Sequence, residues 1–404
     1  MTDVPLFAGL RVIDCATYIA APTAATVLAD FGAEVIKIEA LGEGDPWHNL
    51  WNRPGLPVSP HNYPWLVDNR NKRGLAVDLK APAGRAVLER LVSQCDVFIT
   101  NLPLPARERL GVRWVDFAAK YPRLIYGSMT AYGEDGPESG KTGFDITAYW
   151  GRSGLMDQVR ADGSVPPARS VAGQGDHPTA MALYSGILTA LYRREKTGQG
   201  GEVRASLLGS GMWANAFLVQ AALCGASIPA RPPRSQSTHA LGGTYVTSDG
   251  RWLMLALTSE VRQWPALAAA VGRADLPDDP RFIGVAERRA NAQSLMAILD
   301  VAFAERTLAD WRPVLDAAGL TFGIVGTVEE VAADPQALAA GILRPIEGTD
   351  LMTIDSPFTV TGIDKVPITR APDHGEHTGA VLRDAGYTEA EIAALREAGV
   401  VSGG

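Results

Sequence analysis

Between Leu10 and Glu39 a strand, a helix and a second strand follow one another, and nothing else in the chain restricts its fold as much. Leu10-Arg11-Val12-Ile13-Asp14-Cys15 reads as a buried strand. Ala20-Ala21-Pro22 turns the chain, residues 23–31 read as a helix, and Gly32-Ala33-Glu34-Val35-Ile36-Lys37-Ile38-Glu39 reads as the second strand. Two strands joined through a helix lie parallel, with the helix on one face of the sheet. Glu39 ends its strand as an acidic residue does in dinucleotide-binding folds. The first turn, Ala16-Thr17-Tyr18-Ile19-Ala20-Ala21, nevertheless lacks G-x-G-x-x-G, so a pyrophosphate cannot approach the backbone in the usual way and NAD is not expected.

The same alternation continues. Strands are expected at 75–79, 96–100, 124–129 and 201–206, and helices at 83–93, 177–197 and 207–223, with a further helix running from Lys141 to Gly154. Residues 225–243 are rich in Pro, Ser and Arg and read as a linker with a mobile loop. A hairpin follows at 242–256, turning at Asp249-Gly250, and then helical segments around 259–271, 288–304 and 308–318. The expected fold class is α/β: a large Rossmann-like domain with a parallel sheet from residues 1–224, a smaller α+β domain at 225–328, and a segment at 329–404 that returns to the large domain and ends in an amphipathic helix near 389–398.

A chain of 404 residues has ample core for two such domains. Lys and Arg number 37 against 45 Asp and Glu, a net charge of -8, which argues against nucleic acid as the main partner. Cys15, Cys95 and Cys224 are far apart, show no metal-ligand spacing and fit a reducing compartment. No apolar run approaches the roughly 18 residues of a membrane span, and Met1-Thr2-Asp3-Val4-Pro5 does not read as a signal peptide. The expectation is a cytoplasmic protein with no membrane, metal or nucleic-acid partner.

Chemistry concentrates at Ser170-Val171-Ala172-Gly173-Gln174-Gly175-Asp176-His177-Pro178-Thr179-Ala180, a short flexible run directly before the long apolar helix 177–197. Asp176 is expected at the N-cap, either as a cap alone or as a carboxylate kept ionised by the helix dipole and able to attack an activated acyl group. Gly173 and Gly175 let another part of the chain approach closely. Asn69-Arg70-Asn71-Lys72-Arg73-Gly74 supplies three cations in four positions, a solvated run or a phosphate clamp. Residues 41–66, rich in Pro, Gly, Trp and Asn, read as a surface excursion. Asn101, Arg109, Lys141 and Asp176 all fall on loops after strand ends, the usual ligand sites of an α/β sheet.

Together these segments resemble the class III CoA-transferases, the group of formyl-CoA transferase and carnitine CoA-transferase, and the related 2-methylacyl-CoA racemases. The resemblance rests on Leu10-Arg11-Val12-Ile13-Asp14, Ala33-Glu34-Val35-Ile36-Lys37-Ile38-Glu39, Asn69-Arg70-Asn71-Lys72-Arg73, Gly175-Asp176, Leu191-Tyr192-Arg193-Arg194-Glu195-Lys196-Thr197-Gly198-Gln199-Gly200, Asp334-Pro335-Gln336 and Gly375-Glu376-His377-Thr378. It implies a homodimer of interlocked, ring-shaped subunits. It also implies that CoA moves from an acyl-CoA donor, such as succinyl-CoA, to a carboxylic acid. By carry-over Asp176 is the catalytic aspartate, passing through an anhydride and an aspartyl-CoA thioester. Lys72 or Arg73, Asn101, Arg109 and Lys141 contact CoA, chiefly its phosphates, and Tyr18-Ile19-Ala20 lies near the thioester. Gly173 and Gly175 are expected to supply oxyanion donors. A lid within 235–243, including His239, Gly242 and Gly243, is expected to exclude water.

Two departures narrow the reading. Racemases carry a His where this chain has Phe144, and Phe cannot deliver a proton to the opposite face of a carbanion. On a helix the adjacent Asp145 points elsewhere, so it is not expected to substitute. Formyl-CoA transferases carry four consecutive glycines where this chain has Leu241-Gly242-Gly243, and a Gln where it has Ile19, so formate and oxalate are not the expected acids. The rival readings are a 2-methylacyl-CoA racemase, a non-catalytic CoA-binding subunit and an NAD-dependent oxidoreductase.

Overall fold

A computed structural model describes residues 4–404 and divides into two compact units. The larger takes the chain up to Val159, Pro167–Ile228 and Gln336–Gly404. The smaller takes Pro229–Pro335 together with Arg160–Pro166. The sequence reading left that last segment in the large domain. It joins the small unit because the Gly163 N–H donates to the Arg231 carbonyl at 2.9 Å.

In the larger unit the order is β1 (Arg11–Asp14), α1 (Ala20–Asp30), β2 (Glu34–Glu39), α2 (Tyr63–Asn69), β3 (Lys72–Val77), α3 (Pro82–Val92), β4 (Val97–Thr100), α4 (Leu104–Leu110), α5 (Trp114–Phe117), β5 (Ile125–Thr130), α6 (Leu155–Gln158), α7 (Asp176–Thr197), β6 (Gly201–Ser206), α8 (Leu207–Ala214) and α9 (Ala216–Leu223). The smaller unit holds β7 (Thr244–Val246), β8 (Trp252–Leu255), α10 (Glu260–Ala270), α11 (Val285–Ala290), α12 (Ala292–Phe303), α13 (Leu308–Ala317), β9 (Phe322–Ile324) and α14 (Val328–Ala332). The chain returns through α15 (Pro335–Ala339), β10 (Leu343–Pro345), β11 (Met352–Ile354), α16 (Thr378–Asp384), α17 (Glu389–Glu397) and β12 (Val401–Ser402).

The main sheet has the order β12-β3-β2-β1-β4-β5-β6. All neighbours pair parallel except β12, which runs antiparallel to β3. Side chains alternate between its faces. Val12, Val97 and Ile99 pack with α1 and α7 residues such as Leu28, Leu183 and Ile187. Ile13 and Phe98 pack on the other side with Val87, Leu91 and Val381. Burial on both faces explains why these strands read as unbroken apolar runs rather than alternating ones. In the smaller unit the antiparallel strands β7-β8-β9 share one core with Trp264, Leu299 and Trp311.

Three expectations are corrected. Residues 207–223 are not one helix, because the chain breaks at Asn215 between α8 and α9. Residues 141–144 carry no helix; a π-helical turn begins only at Ile146 and ends at Gly151. The 41–66 excursion lies on the surface only in part: residues 52–58 are exposed, while Trp47 packs in a small buried cluster with Ile19, Trp65 and Ala371.

Candidate active site

The strand order reverses direction at β1, whose successor in space is β4 on one side and β2 on the other. Ligands of open α/β sheets bind outside the carboxyl ends of the strands at such a point. A cavity of about 530 Å³ lies there. Its walls come from the turn after β1 (Thr17 to Ala20), the loop after β4 (Asn101, Pro103), the end of β5, the stretch 139–146, and Arg169 to Ala172 with Asp176.

Asp176 is the first residue of α7. The cap position belongs to Gly175, and no side chain caps the helix, so the expected capping role is corrected. Among the described residues its carboxylate makes no hydrogen bond, which leaves both oxygens available. Its pKa is pushed up from 3.8 to about 7, first by burial, then by the neighbouring Asp145, with Asp68 adding and His177 opposing. The helix dipole therefore does not hold it firmly ionised. Loss of solvation and like charge outweigh it.

The glycines before Asp176 are there for space. A Cβ on Gly175 would stand 2.6 Å from Tyr149 Cγ. Gly173 has φ +83°, and a Cβ there would lie 2.9 Å from the His177 ring. The Gly175 N–H is not aimed at a ligand, because it donates to Asp145 Oδ2 at 3.3 Å. Asp145 was set aside in the sequence on the assumption of a helix. With 141–144 non-helical, Phe144 and Asp145 both line the cavity.

The turn at Ile19 and Ala20 is held from three directions. Asn101 Oδ1 accepts from the Thr17 N–H at 2.8 Å, and its Nδ2 donates to the Thr17 carbonyl at 2.7 Å. Asp45 Oδ1 accepts from the Tyr18 N–H at 3.0 Å. Lys37, fully buried, donates to the Ala16 carbonyl at 2.6 Å and to Asp45 Oδ2 at 2.8 Å. These bonds keep Tyr18 at φ 63°, a left-handed conformation that costs a non-glycine residue about 1–3 kcal/mol. The Tyr18 ring meets Phe144 edge to face, with centroids 5.6 Å apart.

The cations named from sequence divide sharply. Lys72 is buried on β3, and its ammonium donates to Asp14 Oδ2 and the Pro22 carbonyl at 2.8 Å and to the Asp68 carbonyl and Asn69 Oδ1 at 2.9 Å. Burial, with help from Lys37 and against Asp14, lowers its pKa to about 8. Arg73 pairs with Glu34 at 2.6 Å and Asp384 at 2.7 Å, and Arg70 forks onto Asp30. Within the run 69–74, Arg70 and Lys72 therefore serve buried pairs, while Arg73 pairs at a partly exposed site. Lys141 lines the cavity, pairs with Glu138 at 3.0 Å and lies over the Tyr132 ring. Arg109 is exposed on α4 and makes no ion pair among the described residues, while Arg107, two positions earlier, is buried against Glu134. Arg169, which no sequence signal marked, is an exposed cavity-lining cation, also without an ion pair among the described residues. In the small unit His239 has Glu260 at 3.8 Å and a lowered pKa, from burial and then Arg289. Gly242 has no room for a Cβ beside the His239 ring, and Gly243 follows it.

A sequence profile described as CoA-transferase family III matches residues 7–378. The chain belongs to CoA-transferase family III. It is 32% identical over 400 residues to the (R)-2-hydroxy-4-methylpentanoate CoA-transferase of Clostridioides difficile, covering 98% of this chain and 99% of that one. It is 31% identical to the cinnamoyl-CoA:phenyllactate CoA-transferase of Clostridium sporogenes, covering 97% and 96%. Among solved structures it is similar to a CAIB/BAIF family protein from Brucella suis, with TM-score 0.83, 28% identity, and 95% and 100% of the two chains covered. These curated relatives are named as transferases and not as racemases, in line with Phe144. A family III CoA-transferase takes CoA thioesters as substrates. Among the described residues no helix is long and apolar enough to cross a membrane.

Proposed function

We propose that this family III CoA-transferase moves CoA between an acyl-CoA and a carboxylic acid with Asp176 as the nucleophile. One observation carries the reading: a carboxylate free of hydrogen bonds lines a 530 Å³ cavity at the switch point of the sheet. That volume falls in the usual range for small-molecule sites. A desolvated carboxylate is also a better nucleophile than a hydrated one.

An Asp176 oxygen attacks the donor thioester carbon, the C–S bond breaks, and CoA leaves as thiolate from a mixed anhydride. The thiolate attacks the Asp176 carbonyl carbon, releasing the donor acid and leaving an aspartyl-CoA thioester. The acceptor carboxylate attacks that thioester and expels the thiolate. The thiolate then takes the acceptor acyl group and restores the Asp176 carboxylate. Each step trades one activated acyl for another. The N–H groups of Gly173 and Ala20, which have no partner among the described residues, are the oxyanion donors in this reading. Arg169, Lys141 and Arg109 are the cations offered to CoA phosphates. His239, Gly242 and Gly243 belong to a lid that excludes water.

The acceptor is proposed to be an apolar monocarboxylate, aromatic or branched. The walls are dominated by Tyr18, Ile19, Leu50, Leu104, Phe144 and Leu207, and the two relatives above are named for acids with a branched or an aromatic side chain. A homodimer, interlocked as in the family, is proposed because α9 buries no residue and leaves Phe217 86% and Leu223 76% exposed, beside Trp213 at 83% on α8. A patch of that kind marks an interface.

The test is Asp176→Ala with hydroxylamine trapping. Exchange between succinyl-CoA or acetyl-CoA and a panel of acids is expected to vanish in the folded variant. Hydroxylamine is expected to mark Asp176 only after acyl-CoA is added. Near-normal exchange in the variant refutes the reading. Light scattering that returns a monomer refutes the dimer.

A further inference from the structure

His177 directly follows Asp176, and both of its ring nitrogens face acceptors. Nδ1 lies 2.9 Å from the Gly173 carbonyl oxygen and Nε2 lies 3.0 Å from Asp68 Oδ1. A neutral imidazole carries one N–H and can donate to only one of these; the imidazolium donates to both. Asp68 is fully buried on α2 and fixed in place. Its Oδ1 also accepts from Thr23 Oγ1 at 2.9 Å, and its Oδ2 accepts from Trp47 Nε1 at 2.8 Å.

The charged groups facing the ring are Asp68 from α2 and Asp176 from its own helix. The 173–175 turn offers only its carbonyl and α1 only the Thr23 hydroxyl through Asp68. Lys72 lies beyond Asp68, on its backbone carbonyl. The ring is only partly covered, its side chain being 46% exposed, and that partial burial would make it a weaker base; the Asp68 hydrogen bond and charge, and then the Gly173 carbonyl, outweigh it, so the net pKa is raised. A cation in the first turn of a helix opposes the helix dipole. Helix stability therefore does not account for it.

We propose that the His177 imidazolium, clamped between Asp68 and the Gly173 carbonyl, is a positioning residue that fixes the turn presenting Asp176 to the cavity and supplies the positive charge beside that carboxylate. When the ring loses a proton, one of its two contacts sets lone pair against lone pair. The turn is released and Asp176 loses its neighbouring cation. The activity side of this inference rests on Asp176 being the nucleophile. The protonation side does not.

The experiment uses full-length protein labelled with 15N at histidine, in wild type, His177→Gln and Asp68→Asn. The His177 signals are assigned by their loss in His177→Gln. Through a pH titration, wild-type His177 is expected to keep both nitrogens protonated to higher pH than an ordinary histidine does. In Asp68→Asn, which keeps an acceptor oxygen and removes the charge, the ring is expected to lose its second proton at lower pH than in wild type. The alkaline limb of kcat for CoA exchange is expected to move to lower pH in Asp68→Asn and to disappear in His177→Gln. In His177→Gln kcat falls about tenfold, the worth of one pK unit of lost interaction, with KM for acyl-CoA little changed. A wild-type ring that loses its second proton at no higher pH than an ordinary histidine overturns the proposal, and so does a folded His177→Gln enzyme with unaltered kcat and pH profile. If Asp68→Asn and His177→Gln fail to fold, the wild-type ring still decides, its signals then assigned by substituting the other five histidines one at a time. If Asp176→Ala keeps its exchange activity while the ring is cationic, the nucleophile is wrong and the clamp stands.

Discussion

Asp145 accepts the backbone N–H of Gly175, and this one bond binds the stretch after β5 to the cap residue of α7. It also sets two carboxylates, Asp145 and Asp176, against the same cavity. Two nearby acids resist ionising together. The pair makes Asp176 a weaker acid, and so a stronger nucleophile once charged.

Replacing Asp145 with Asn removes that opposition. Exchange requires ionised Asp176, so kcat/KM is expected to rise with pH up to a limb set by its pKa of about 7. In Asp145→Asn the limb is expected about one unit lower, the size of a single like-charge effect. A pH–rate profile checks it; a limb that stays in place refutes the electrostatic role of Asp145.

The raised pKa also has a sign for stability. In the unfolded chain Asp176 ionises near 3.8, in the folded chain near 7. The folded state holds the proton more tightly, so the group costs nothing below about pH 4. The cost grows between the two values and is complete above about pH 7. Asp176→Asn is therefore expected to raise Tm at pH 8 and to leave it unchanged at pH 4. The ceiling is about 4 kcal/mol for three units, less what solvent screens at this partly exposed residue. Calorimetry at the two pH values tests the sign.

Cations that look alike in sequence are expected to fail differently. Lys72→Met breaks a buried network and is expected to cost about 3–5 kcal/mol, with KM for acyl-CoA unchanged in whatever folds. Arg169→Ala is expected to leave Tm alone and to raise that KM about tenfold or more, as loss of a charge-assisted hydrogen bond does. Paired melting and kinetic measurements separate the two, and a large KM effect from Lys72 with no loss of stability would reverse their roles.

Asn101 is expected to act through the turn it staples. Asn101→Ala removes both bonds to Thr17, and kcat/KM is expected to fall about 100-fold, the usual penalty for a displacement on the order of 1 Å. The same substitution should lower Tm modestly. Unchanged kinetics would show that the turn holds itself.

The parts of this molecule legible in sequence are those written in local pattern. The strands of the first βαβ unit, the strand 201–206 and the 22-residue helix with its stop at Gly198 all lie within a residue or two of expectation, whereas the first helix starts three residues early and takes in the expected turn at Ala20-Ala21-Pro22. Asp176 stood out because glycines and a long apolar helix bracket it. What was hidden depends on partners far along the chain. Lys72 meets Asp14 across 58 positions and His177 meets Asp68 across 109, so nothing beside Lys72 or His177 announces its partner. Asp145 is hidden for a different reason. In sequence 141–154 reads as helical, and adjacent side chains on a helix diverge, whereas outside a helix two neighbours can face one cavity.

The strained conformation of Tyr18 divides the cavity wall for anyone who wishes to redirect this enzyme to new acids. Thr17 to Ala20 are set by main-chain bonds to Asn101, Asp45 and Lys37, so changes there disturb a backbone rather than a surface. Leu50, Leu104 and Leu207 line the same space with side chains that bond to nothing. Saturation libraries belong at those three leucines, and a library drawn at Tyr18 should yield mostly inactive protein.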